Sequence, residues 1–347
     1  MYKELSMAAQ AAYAEVLDQR QSIDLQGLAP LSGKFQKKTV KGSTYWYLGY
    51  RDIDGRVKTV YVGPDNDRVR TLMDKAAASG VPNEVVTRQA SAAIALGCMG
   101  LADKHFKIIN RLAQYGLFRS GGVLIGTHAF LTLGNMLGVH WEHAAATLDV
   151  DFAHAGKNIS IALPGDVQFD AKSAIDSLEI GLLPILSLDG KSGAQYRNPA
   201  DPELRIDFLT CEHRAPGYVR VPNTNLVLEP LKFMEFSLQQ GTQGVVMSKN
   251  GQSCIATIPS PARFAIHKLI VFGERAPAAR VKSQKDLLQA ASLICYMKNS
   301  GRKQDVSDAW ADALSRGKGW RTRAEQGRSA LLARFPELAD AALWIGL

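Results

Sequence analysis

Asp149 and Asp151 stand one residue apart in the run Thr147-Leu148-Asp149-Val150-Asp151-Phe152. Leu148, Val150 and Phe152 alternate with the acids, so on a strand both carboxylates project from one face and the apolar side chains from the other. Two carboxylates held this close repel unless a cation joins them, and oxygen-only donors suit magnesium or manganese. Asp207 repeats the pattern in Leu204-Arg205-Ile206-Asp207-Phe208-Leu209. If its strand neighbours the first, three carboxylates could hold two divalent ions against a nucleoside triphosphate. The plain alternative for each acid is a strand end in solvent.

Phosphate also needs donors. The run Phe118-Arg119-Ser120-Gly121-Gly122-Val123-Leu124-Ile125-Gly126 precedes a helical stretch. A glycine pair opening a helix lets backbone amides approach a phosphate, and the helix N-terminus adds partial positive charge. Lys268 lies in Pro261-Ala262-Arg263-Phe264-Ala265-Ile266-His267-Lys268-Leu269, with Arg275 and Lys285-Asp286 following. An amphipathic helix commonly carries an exposed Lys without further role, and Asp286 could equally start a helix or join an ion pair. His140-Trp141-Glu142-His143 lacks the helical spacing of a zinc peptidase and reads as a surface loop. His128 and His267 read as packed or lining residues, and no Ser-His-Asp or Cys-His set assembles.

The elements that must position these groups follow from pattern and composition. The 347 residues are 46% hydrophobic, 21% charged and 8% aromatic, which suits a globular chain of two or three domains and excludes disordered, collagen and coiled-coil classes. No apolar run reaches the length of a membrane span, and the N-terminus does not read as a secretory signal, so the expected location is the cytoplasm. Cys98, Cys211, Cys254 and Cys295 lie far apart, as reduced core thiols do. Alternation over Phe35 to Val40, Tyr45 to Arg51 and Arg56 to Val62 predicts a three-stranded antiparallel meander. Its lysines (Lys34, Lys37, Lys38, Lys41, Lys58) interleave with Tyr45, Trp46, Tyr47, Tyr50 and Tyr61. Cations with aromatic platforms suit nucleic acid; the bland reading makes the rings a small core and the lysines a soluble edge. The formal charge of +8 favours a polyanionic partner. Further basic residues (Arg316, Lys318, Arg321, Arg323, Arg328, Arg334) crowd the C-terminal helices.

The expected fold is α+β. An N-terminal helix plus basic meander spans 1–65, a helical connector 66–116, a mixed-sheet core 117–258 and a helical C-terminal domain 259–347.

Taken together, the glycine words, Asp149-x-Asp151 and Asp207 resemble the nucleotidyltransferases of the DNA polymerase beta superfamily. The words Gly121-Gly122-Val123-Leu124-Ile125-Gly126-Thr127-His128-Ala129-Phe130, Thr147-x-Asp149-x-Asp151-Phe152 and the Lys268 to Asp286 block are similar to bacterial AbiEii and minimal nucleotidyltransferase toxins, over roughly Phe106 to Met297. The resemblance implies transfer of a nucleoside monophosphate from a triphosphate to an acceptor hydroxyl, with pyrophosphate released. It implies magnesium or manganese on Asp149, Asp151 and Asp207, with these acids and Lys268 catalytic. It places the triphosphate on Ser120, Gly121, Gly122, Lys268, Arg275, Lys285 and Asp286. Gly122 stands where the family commonly has a serine, and the interval to Asp149 is longer than in compact members. The implied acceptors are tRNA, other RNA or protein, and a toxin-type member would have an antitoxin partner. Two rivals remain at this point: a non-catalytic nucleic-acid- or partner-binding protein on the same fold, and a manganese glycosyltransferase using Asp-x-Asp.

Overall fold

The computed structural model describes residues 1–26, 34–40, 43–51, 57–78, 83–142, 149–155, 170–186, 192–201, 204–212, 217–221, 225–275 and 280–345. The N-terminal part contains β1 (Tyr2–Glu4), α1 (Met7–Gln26), β2 (Lys34–Val40), β3 (Ser43–Arg51), β4 (Val57–Pro64), α2 (Asp67–Ala78), α3 (Asn83–Ala95) and α4 (Asp103–Gln114). The middle contains β5 (Gly122–Leu124), α5 (Gly126–Met136), β6 (Val139–Trp141), β7 (Asp149–His154), α6 (Ala171–Asp176), β8 (Leu183–Leu186), β9 (Ser192–Arg197), β10 (Arg205–Cys211), β11 (Val219–Val221), β12 (Leu226–Leu231), α7 (Met234–Leu238), β13 (Thr242–Met247) and β14 (Ser253–Ile258). Four helices then follow: α8 (Pro261–Glu274), α9 (Arg280–Asn299), α10 (Lys303–Ser315) and α11 (Lys318–Arg334).

The architecture is α+β, built on a mixed sheet in the order β11-β12-β10-β7-β5, with β9 beside β10 and β8 beside β9. Val150, Phe152, Ile206 and Phe208 are buried on one face of β7 and β10, and the Phe152 and Phe208 rings stack 5.6 Å apart. That face packs on α4, whose Phe106, Ile109 and Leu112 recur every three residues to make one apolar stripe. Burial of this alternating set fixes the strand register, because a slip of one residue would turn the aspartates inward. The opposite face therefore carries the acids.

The meander β2-β3-β4 is antiparallel throughout, as the alternation predicts. Its turn residues 41–42 and 52–56, Lys41 among them, lie outside the described residues, as do the side chains of Lys34, Tyr50, Lys58 and Tyr61. The expected surface loop at His140 is instead a strand: β6 pairs with β1, the Trp141 indole donates to the Phe130 carbonyl, and Glu142 meets the N-terminal ammonium at 2.6 Å. His143 lies outside the described residues, as do Thr147 and Leu148 before the first aspartate.

Phe130 of α5 stacks between Trp141 at 4.7 Å and Phe264 of α8 at 6.0 Å, which ties the helix beside the aspartates to the helix bearing Lys268. Helices α8 and α11 touch backbone to backbone: a Cβ on Gly327 would fall 2.2 Å from the Leu269 carbonyl oxygen. None of the described helices is long and apolar enough to cross a membrane.

Candidate active site

Strands β7 and β10 run parallel, with Asp151 opposite Asp207 and Asp149 opposite Arg205. Register partners in a parallel pair share a face, so Asp149, Asp151 and Asp207 converge on one patch with Arg205 among them. The Arg205 guanidinium lies 2.9 Å from Asp149 and 3.2 Å from Asp207. Burial, then the neighbouring Asp207 and Asp149 charges, push the Asp151 carboxyl up to about 6, against the pull of Lys268 and Arg205.

The start of α5 abuts this patch. The Ile125 amide donates to the Asp151 carbonyl at 3.0 Å, and Gly126 follows with φ of 66°. A Cβ on Gly126 would fall 2.3 Å from an Asp151 carboxylate oxygen, so only glycine lets the helix N-terminus come this close. Buried Thr127 is next, its hydroxyl 3.4 Å from the Gln289 side-chain nitrogen of α9.

Ser120, Gly121 and Gly122 sit elsewhere. Gly122 opens β5 opposite His154, and Gly121 has φ of 94° in the turn before it. The Ser120 hydroxyl donates to the Leu117 carbonyl, and the Ser120 carbonyl faces His154 at 2.7 Å. A Cβ on Gly122 would meet the Leu117 side chain at 2.5 Å. These residues shape a tight turn at the far end of β5; the pair expected to open a helix opens a strand, four residues too early. The amides that begin the helix belong to Gly126 and Thr127. Both stand in the same sequence word, where Gly126 is less conspicuous than the pair Gly121-Gly122.

The cations come from α8 and α9. Lys268 lies 2.8 Å from Asp286, and Arg275 reaches the other oxygen of Asp286 at 2.8 Å. Burial opposes the charge on Asp286, but Lys268 and Arg275 outweigh it and hold its carboxyl below the ordinary range. Lys285, half-buried one residue earlier, forms no ion pair among the described residues. Burial and then Lys268 lower its pKa, while Asp151, Asp286 and Asp149 act in the opposite sense, which places Lys285 within the field of the carboxylate patch. Asp149, Asp151, Asp207 and Asp286 are thus met by Arg205, Lys268, Arg275 and Lys285. Arg205 and Gln289 had no place in the sequence reading, although Arg205 stands two residues before Asp207 and must share its face.

His105, His128, His154 and His267 are buried. His128 and His105 face each other at 3.1 Å, and burial, then His105, push His128 down to about 3. Burial, then Lys268, does the same to His267.

The donor chemistry fits a divalent cation. Three oxygen-only carboxylates share one patch, and burial, then the charges of the other two, raises the Asp151 carboxyl. The described residues do not form a closed cage of three metal-binding groups, because Arg205 lies between Asp149 and Asp207.

The outlying basic regions are largely engaged internally. Lys37 and Arg70 pair with Asp65, which also accepts from the Trp46 indole at 2.8 Å, and Tyr47 is core. Arg316 pairs with Asp312 and lies over Phe236 and Trp320; Arg323 pairs with Glu274; Arg328 lies over Trp310 and Trp344.

The profile of a family described as nucleotidyltransferase matches residues 103–315, and that of a domain family of unknown function matches residues 9–71. No curated protein matches the chain. Among solved structures, the chain is similar to an antigenic nucleotidyltransferase-like protein from Paracoccidioides brasiliensis, at 15% identity and a TM-score of 0.35, over 71% of this chain and 94% of that one.

Proposed function

Since the chain belongs to the nucleotidyltransferase family, we propose that it moves a nucleoside monophosphate from a nucleoside triphosphate to an acceptor hydroxyl and releases pyrophosphate. The observation that carries this reading is the parallel register setting Asp151 beside Asp207 with Asp149 adjacent, next to the start of α5.

Asp149, Asp151 and Asp207 would hold magnesium or manganese, which supplies positive charge at the reacting phosphate and makes the acceptor hydroxyl more acidic. The acceptor oxygen forms a bond to the α-phosphorus, the bond from that phosphorus to the bridging oxygen breaks, and the hydroxyl proton passes to Asp207. The first amides of α5, at Gly126 and Thr127, would donate to a phosphate oxygen beside the Asp151 carboxylate. Lys285 and Lys268 oppose the charge that builds on the leaving pyrophosphate, with Asp286 and Arg275 positioning Lys268. Ser120, Gly121 and Gly122 take no part in this scheme.

The proposed acceptor is tRNA or other RNA, with protein as the alternative that the likeness to toxin-type enzymes raises; an antitoxin partner and a cytoplasmic setting belong to the same proposal. Among the described residues of these two regions, Lys38, which lies over the Tyr47 ring, and the C-terminal Lys318 and Arg321 form none of the ion pairs described above and are proposed to meet a phosphate backbone. The test is incubation of the protein and of Asp151→Asn with each labelled triphosphate plus cellular RNA or lysate. Label entering RNA or protein with the wild type alone supports the reading. Equal labelling by the variant, or consumption of a nucleotide sugar instead, would sink it.

A further inference from the structure

A cavity of about 530 Å³ lies away from the carboxylate patch, between the N-terminal segment and the sheet. One wall is α1 with Val62 to Pro64 at the end of β4; the others come from α4, the turn before β5, and β13 and β14. It therefore joins segments that the two family profiles match separately, 9–71 and 103–315.

Its position along the sheet is defined. Asp151, Ala153 and Ala155 alternate onto one face of β7, and Val123 sits opposite Ala153. Val123 and Ala155 line the cavity. Ala155 is four residues from Asp151, up to about 13 Å along an extended chain at ~3.3 Å per residue. Val123, Ile125, Ala153, Met234 and Leu238 form an apolar cluster in that interval. The cavity and the carboxylates thus occupy one face but separate places.

Among the described residues, the charged side chains lining the cavity are Arg20, Arg119 and Asp24. Arg119 is 3.3 Å from Asp24, whereas the Arg20 Nε donates to the neutral Ser253 hydroxyl at 2.7 Å. The cavity therefore carries one guanidinium in excess of its carboxylate, and a half-buried cation beside a neutral hydroxyl calls for an anion. Asn110, Gln114 and Gln243 add amides, each with donor and acceptor groups, while Phe118, Ile23 and Ile255 supply apolar walls. Inorganic phosphate would leave most of this volume unfilled, and a wholly apolar ligand would strand Arg20. A planar ring with polar edges joined to a phosphate satisfies all three features, and the volume falls in the range of small-molecule sites.

We propose that this cavity is a second nucleotide site, taking a nucleoside monophosphate unit either as a free ligand or as the end of an acceptor strand. It does not depend on the catalytic reading, since occupancy is measured without transfer.

Isothermal titration of the full chain with AMP, CMP, GMP and UMP tests it, with inorganic phosphate and the four nucleosides alongside. At least one monophosphate should bind wild type and Asp151→Asn equally, and both Arg20→Gln and the corresponding nucleoside should weaken binding by about tenfold or more, the loss of one charge-assisted contact. Should Arg20→Gln unfold, the comparison of each monophosphate with its nucleoside on the wild type carries the test alone. Absence of binding by every monophosphate would overturn the proposal. So would binding lost in Asp151→Asn but kept in Arg20→Gln, or nucleoside binding as tight as monophosphate. A short oligoribonucleotide ending in the preferred base identifies the source: displacement of the monophosphate marks a strand end, and no displacement marks a free nucleotide.

Discussion

Asp207 stands beside Asp151 across the parallel strands β7 and β10, and burial together with its charge lifts the Asp151 carboxyl to about 6. A carboxyl raised above its ordinary 3.8 contributes stability that is full at lower pH and lost as pH rises through the folded value. Asp151→Asn should therefore match the wild type in thermal stability near pH 4 without divalent cation, gain on it as pH rises from about 4 to 6, and hold that margin at higher pH. Its transfer activity should be lost. Calorimetric scans from pH 4 to 8 with a chelator check the first part; coincident curves at pH 8 would mean the carboxylates do not strain the fold.

Asp286 has the opposite sign. Its carboxyl is depressed by Lys268 and Arg275 despite burial, so its contribution is present above the ordinary 3.8 and lost as pH falls through the lower folded value. Asp286→Asn leaves two cations without their shared partner and should cost about 3 to 5 kcal/mol, the range for breaking a buried ion pair. Denaturant unfolding at pH 7 and at pH 3 should show that cost shrinking in acid. An unchanged cost would remove the ion pair as its origin.

Gly126 is held by both backbone and space: its φ is 66°, and a Cβ would sit 2.3 Å from an Asp151 carboxylate oxygen. Gly126→Ala should destabilise by about 1 to 3 kcal/mol from crowding alone and, by driving the Asp151 side chain aside, remove transfer. Gly121→Ala also meets a left-handed backbone, but at a turn remote from the acids, so the folded fraction should keep its activity. Comparing the two variants at equal folded concentration separates the roles. Retained activity in Gly126→Ala would return the phosphate cradle to the glycine pair.

The carboxylate patch was legible because alternation is a local property. Val150 and Phe152 must face the core, and the aspartates then have one direction left. The meander followed from the same period of two. Gly121-Gly122 lead into a strand and Gly126 opens the helix, a difference the sequence hides because it shows where glycines are without showing which φ or which neighbour requires them. Gly122 is excluded from a side chain by Leu117, and Gly126 by a carboxylate that arrives from 25 residues later in the chain. The resemblance sets Lys268 on the triphosphate together with Arg275, Lys285 and Asp286, and the ion pair of Lys268 with Asp286 bridges α8 and α9. The packing of α8 against α9, and of α11 on α8 where Gly327 meets Leu269, has no signature in spacing. The basic C-terminal run reads as a surface for RNA until Asp312, Glu274 and the Trp310, Trp320 and Trp344 rings are seen to occupy it.

Lys285 is the cation of the site without an ion pair among the described residues, and burial lowers its pKa while Asp151 and Asp149 hold it up. Its charge is therefore costly to the folded protein and available to a substrate, the combination expected of a group kept for binding rather than stability. Lys285→Met keeps most of the apolar stem and removes the ammonium. Thermal stability should stay level or rise, because a desolvated charge is gone, whereas triphosphate affinity should fall about tenfold or more, as for the loss of one charge-assisted hydrogen bond. The loss should be smaller for a nucleoside monophosphate, which lacks the leaving phosphates. Lys268→Met should instead lower stability by freeing Asp286 from one partner and reduce transfer through misplacement. Titration of both variants with triphosphate and monophosphate, beside their unfolding curves, decides the assignment. Wild-type triphosphate affinity in Lys285→Met would leave Lys268 as the phosphate contact.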